Sequence, residues 1–140
     1  MAQFISTTPQ EITAVGGSVV FNSTAVCGDC NIKHRNGSAL IKVRGSGCCS
    51  RARYRVSFHG NVTGTETVTQ LALYQDGEIL PESLMSVVPA AAANVWSVDS
   101  DTEVYVDCGC STLSVRSLTA GVTVNTASII ITRVAKEEEI

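Results

Sequence analysis

Six cysteines in a chain of 140 residues carry its most reactive side chains. Cys27 and Cys30 form a C-x-x-C in "VCGDC", Cys48 and Cys49 are adjacent in "GSGCCSR", and Cys108 and Cys110 form a C-x-C in "VDCGCS". Thiols so spaced can hold a metal, exchange electrons or cross-link the chain. Zinc accepts a C-x-x-C as half of a tetrahedral sulfur set, so Cys27 and Cys30 with two of Cys48, Cys49, Cys108 and Cys110 would form a structural Zn site. A second C-x-x-C would be the more usual other half. A redox dithiol needs a βαβ pattern around it, and none follows Cys30. Disulfides need Cα atoms about 5.5 Å apart, which cross-strand neighbours supply. The cluster is expected to be closed by disulfides or zinc, with the choice open.

Other chemistry is thinly represented. His34 and His59 are the only histidines. No Gly-x-Ser-x-Gly, phosphate loop or histidine metal motif occurs, and thiols beside other thiols are more often structural or metal-bound than nucleophilic. No enzyme is expected, and no cofactor beyond structural zinc. Net charge is −3 with a pI near 5.3, which gives no footprint for nucleic acid. No run is long and apolar enough for a membrane span. The opening "MAQFISTTPQEITAV" lacks a basic region followed by an apolar run, so synthesis in a cytoplasm without a signal peptide is expected.

The elements that must position these residues read as strands. Val, Ile and Thr are abundant, Gly and Asn punctuate short runs, and helical periodicity is nearly absent. Strands are expected at 17–23, 31–35, 39–45, 51–62, 67–77, 83–89, 95–107, 112–118 and 124–134. So many short strands in one small domain require an all-β two-sheet sandwich or jelly roll. The expected organisation is an N-terminal arm at 1–11, one domain at 12–135 and a charged tail at 136–140.

Two registers follow. Asn36-Gly37 suits a type I′ hairpin turn. Arg35 then faces Ser38, Cys30 faces Val43, and Cys27 faces Ser46. In "RARYRVSFHG", Ala52, Tyr54, Val56 and Phe58 alternate with arginines; in "DSDTEVYVDC", Val104 and Val106 alternate with acids. An antiparallel pairing sets Arg51 opposite Asp107, Arg53 opposite Tyr105 and Arg55 opposite Glu103. A one-residue slip would lose every one of these pairs. Extended further, this register sets Cys48 opposite Cys110. Together the two registers gather all six cysteines at one pole. Trp96, Tyr54, Phe21 and Phe58 are expected in the core or an interface.

The strings "RARYRVSFHGNVT", "QLALYQDGEILPESLMSVVPAAA" and "TLSVRSLTAGVTVNTASIIITRVA" resemble the tumour necrosis factor-like jelly roll of complement-type globular heads. The "HRxGS" turn, the "A-L-x-x-D-G-E-x-L-P-x-S-x-M" segment and the "C-G-C" resemble its short bacterial and phage branch more closely. The resemblance covers roughly residues 12–135. It implies a homotrimer with one sheet of each subunit facing the threefold axis, and no catalysis. Arg51, Arg53, Arg55, Glu103, Tyr105 and Asp107 then become trimer-interface candidates. It further implies a structural virion surface protein of a bacteriophage, a capsid decoration or fibre-tip module partnered by a capsid or fibre protein. The alternative is an adhesin-type head recognising a host-surface glycan or protein.

Overall fold

The computed structural model describes residues 1–26, 31–45, 52–63, 68–88, 95–106 and 109–134. These form β1 (Ala2–Ser6), β2 (Gln10–Ile12), β3 (Ser23–Val26), β4 (Ile32–His34), β5 (Ile41–Arg44), β6 (Ala52–Thr63), β7 (Thr69–Gln75), β8 (Glu78–Ile79), β9 (Met85–Val87), β10 (Val95–Val106), β11 (Cys110–Ser117) and β12 (Val122–Arg133). A 3-10 turn covers Pro81–Ser83. The first sheet runs β10-β6-β12-β1-β3, with β2 also on β12; the second runs β4-β5-β11-β7-β8, with β9 on β7. Every ladder is antiparallel. Among the described residues no helix is long and apolar enough to cross a membrane.

Alternation builds the core between the sheets. Along β6, Ala52, Tyr54, Val56 and Phe58 are all buried, and Val104 and Val106 of β10 meet them from the neighbouring strand. Period-2 patterning puts this whole set on one face. Phe21 and Phe58 touch edge to face, with centroids 6.4 Å apart. Trp96 lies outside this core, 37% exposed on β10.

The β6–β10 register is the one the sequence dictates: Ala52 pairs with Val106, Arg53 with Tyr105 and Arg55 with Glu103. The described part of this register ends at Ala52–Val106. Cys110 opens β11 in the other sheet, opposite Arg44, and Cys48, which the extended register set against it, lies outside the described residues.

The hairpin expectation needs correction. Ser38 N–H does donate to the Arg35 carbonyl (2.9 Å), closing a turn around Asn36-Gly37. Only Gly37 has positive φ (91°), which is the pattern of a type II turn and not type I′. The ladder then begins at His34–Ile41, with Lys33 opposite Lys42 and Ile32 opposite Val43. This is a slip of two residues from the expected pairing. The cause is Ser38, whose carbonyl accepts from Phe21 N–H (3.3 Å) and from His34 Nε2 (2.8 Å). Residues 38–40 thereby leave β4 for the segment at Phe21. An even slip preserves the inward face, so Ile32 and Val43 remain buried.

Residues 1–11, expected as an arm, are part of the sheet. Phe4 pairs with Ile129, and both Ala2 and Phe4 are buried. The expected strand at 17–23 is mostly an extended connection. The Gln10 amide clamps the Val20 backbone with two 2.8 Å bonds, and Val19 N–H reaches Val115.

Candidate functional site

The outer face of the β10-β6-β12-β1-β3 sheet carries the described interface candidates. Its residues are the odd members of β6 and β10 and, beyond the irregularity between Val124 and Thr126, the even members of β12. Arg55 grips Asp101 with both nitrogens, Nε to Oδ1 at 3.0 Å and Nη2 to Oδ2 at 2.5 Å. Arg53 reaches Glu103 at 3.7 Å, and His59 Nδ1 bonds Asp99. The two arginine pairs are diagonal, because strand twist brings residues two positions along within reach of a long side chain, whereas His59 and Asp99 are direct cross-strand partners. Arg55 therefore has Glu103 as its backbone partner and Asp101 as its ion-pair partner. The Arg55 hydrogen bond holds the Asp101 carboxyl below its ordinary pKa, and Ser57 Oγ donates to it as well (3.2 Å). Asp101 in turn raises the pKa of Arg55.

The middle of the face is quieter. Ser57, Ser128, Gln3, Ile5 and Ile130 are half-buried there. Gln3 donates to Ser128 Oγ at 2.9 Å. A shallow depression of about 330 Å³ lies between His59, Asp99, Ser128 and Ile130. An Asp–His pair beside serines invites comparison with a hydrolytic triad, which needs a hydroxyl on the far imidazole nitrogen. Here Ser128 Oγ accepts from Gln3, Ser57 Oγ donates to Asp101, and among the described residues no hydroxyl bonds His59 Nε2. The other histidine is also engaged: His34 Nε2 donates to the Ser38 carbonyl, and its ring lies against Phe4 with centroids 4.6 Å apart.

Arg51 and Asp107 lie outside the described residues, as do Cys27, Cys30, Cys48, Cys49 and Cys108. Cys110 is exposed. Several strand ends that bracket the cysteine-bearing segments do meet at one end of the sandwich. Gly45 N–H donates to Gly109 O (2.7 Å), and Arg44 N–H to Asn31 O (2.9 Å). Tyr54 Oη donates to Arg44 O (2.6 Å) and Gln75 Nε2 to Tyr105 O (2.8 Å), each joining the two sheets there. Among the described residues no group of three His, Cys, Asp or Glu side chains could hold a metal ion.

The opposite sheet presents a different surface, which sequence reasoning missed. Lys33, Arg35, Lys42 and Arg44 are exposed on or beside β4 and β5. Lys33 and Lys42 face each other directly. Lys33, Arg35, Ser38, Leu40, Lys42 and Thr112 surround a depression of about 430 Å³.

No protein-family model matches the sequence, and a search of curated proteins finds no match. Solved structures do resemble the fold. The globular domain of zebrafish complement 1qA protein superposes with a TM-score of 0.64 at 11% identity, over 92% of this chain and 94% of that one. Murine APRIL, in a crystal structure at pH 5.0, gives 0.61 at 12% identity, over 91% and 97%. Identity this low speaks to architecture alone. The chain is an all-β, TNF-like jelly-roll sandwich.

Proposed function

We propose that the protein is a non-catalytic jelly-roll head that assembles as a homotrimer through the outer face of the β10-β6-β12-β1-β3 sheet. The observation that carries this reading is the distribution of side chains on that face. Ile5 and Ile130 sit among small uncharged residues at its centre, and ion pairs occupy the β10 side. An apolar, weakly charged middle beside a polar rim is the anatomy of a protein interface. The ion pairs are already satisfied within one subunit, so they can be covered without stranding a charge.

The particle we propose for this trimer is a virion, with the head as a capsid decoration or fibre-tip module bound to a capsid or fibre protein. Support for that finer reading is the phage-branch resemblance of "HRNGS" and "ALYQDGEILPESLM". Native mass spectrometry tests the assembly. The parent should be trimeric, Ile130→Asp monomeric, and Arg55→Glu or Glu103→Lys impaired in assembly. Stable trimers from both single reversals would remove those residues from the interface. A second reading, a head that binds a host-surface ligand, is favoured by the cations on the opposite sheet, which make no ion pair among the described residues.

A further inference from the structure

We infer that the outer face of β4, β5 and β11 binds an acidic glycan, a sugar chain bearing sulfate, phosphate or carboxylate groups. The inference rests on the binding-head reading and does not require the trimer.

The two outer faces treat charge in opposite ways. On the β6–β10 face Arg53, Arg55 and His59 each contact an acid. On the other face Lys33, Arg35, Lys42 and Arg44 make no ion pair among the described residues. Four unneutralised cations on two neighbouring strands are unexpected in a chain of net charge −3. Directly opposed like charges destabilise a ladder, yet Lys33 and Lys42 are direct partners. An unfavourable pair of this kind is expected where an anion is to be bound. The nearby carboxylates do not relieve it: Asp76 accepts from Thr112 N–H at 2.9 Å, and Glu78 lies on β8 at the sheet's far edge.

The geometry suits a chain and not a single ion. Arg35 and Arg44 lie at the two ends of the β4–β5 ladder, with the lysine pair between them. Four strand rungs at about 3.4 Å each make a cationic stripe ~13 Å long. Beside it the 430 Å³ depression offers the Ser38 and Thr112 hydroxyls and the exposed Leu40 side chain, a mixture that suits sugar hydroxyls and ring faces. Its base is held firm by the His34–Ser38 bond and the His34–Phe4 ring contact. Single-stranded nucleic acid would call for exposed aromatic platforms. The aromatics behind the stripe, Phe4 and Phe21, are buried, and on the same sheet Arg116 covers the Tyr74 ring at 5.0 Å.

The test measures binding of the full chain to a dextran sulfate oligosaccharide, neutral dextran of equal length, and an oligo-dT of equal charge. Dextran sulfate should bind, more weakly as salt rises, and neutral dextran should not. Lys42→Glu should weaken dextran sulfate binding roughly tenfold or more. Thr13→Glu/Val15→Glu, which makes the same change of net charge in the exposed loop after β2, should bind like the parent. Thermal melts confirm that both variants fold. Failure to bind dextran sulfate, equal binding by Lys42→Glu, or oligo-dT binding as tight as dextran sulfate would overturn the inference. Native mass spectrometry of the same samples reports the trimer separately, so loss of one reading is distinguishable from loss of the other.

Discussion

At Arg55 and Asp101 two exposed side chains lock in a bidentate pair, and the pH dependence follows from its direction. The folded Asp101 pKa is depressed, chiefly by the Arg55 hydrogen bond. A depressed carboxylate contributes stability above its unfolded pKa and loses it as pH falls through the folded one. The pair's contribution should therefore be intact at neutral pH and vanish only below the ordinary carboxylate range. Exposure keeps it small. An NMR titration should find Asp101 below its ordinary value in the parent and back near that value in Arg55→Ala. Gly60 is a position where even a methyl group is crowded. A Cβ there would lie 3.1 Å from the Phe58 ring and 3.3 Å from the Thr126 carbonyl. Gly60→Ala should cost about 1–3 kcal/mol by overpacking, read from urea denaturation.

At the scale of elements, β1 and the β4–β5 hairpin make the sharpest predictions. Phe4 of β1 is buried between the two sheets, its ring against His34 of β4, so Phe4→Ala should lose about 3–5 kcal/mol. A free arm would lose almost nothing. In β4–β5, Lys42→Glu should stabilise by about 0.2–1 kcal/mol by turning a like-charge pair into an opposite one. Lys33→Glu/Lys42→Glu should give that gain back, and the cycle isolates the pair. Gained stability with lost dextran sulfate binding would mark a surface kept for function. These elements also show what the sequence can disclose. The β6–β10 pairing was legible because alternating apolar residues and opposed charges both required one register. The β4–β5 register was not legible, because the bonds that move Ser38 to Phe21 come from a distant segment. The expected turn set Lys33 against Leu40, so the lysine pair and its basic face stayed hidden. The alternation of Ala2, Phe4 and Ser6 was visible, but its partner strand β12 lies at the far end of the sequence.

For the whole molecule, two sheets with different outer faces imply two tasks. On one face Arg53, Arg55 and His59 each contact an acid and the middle is apolar, which suits burial against copies of the chain. On the other, Lys33, Arg35, Lys42 and Arg44 make no ion pair among the described residues, which suits a ligand. The jelly roll separates these tasks by the thickness of its core, so a trimer formed on one face leaves the other in solvent. The all-β two-sheet class was readable from strand patterning, and its TNF-like form from the resemblance of particular strings. The ion-pair partners on the proposed assembly face were not, because the twist sets Arg53 and Arg55 diagonally against Glu103 and Asp101. The central claim is that the β10-β6-β12-β1-β3 face joins subunits, and native mass spectrometry of the parent and of Ile130→Asp tests it most directly. The account predicts a species of three 14.7 kDa chains for the parent and a folded monomer for the variant. A monomeric parent, or a trimer unchanged by Ile130→Asp, would contradict it.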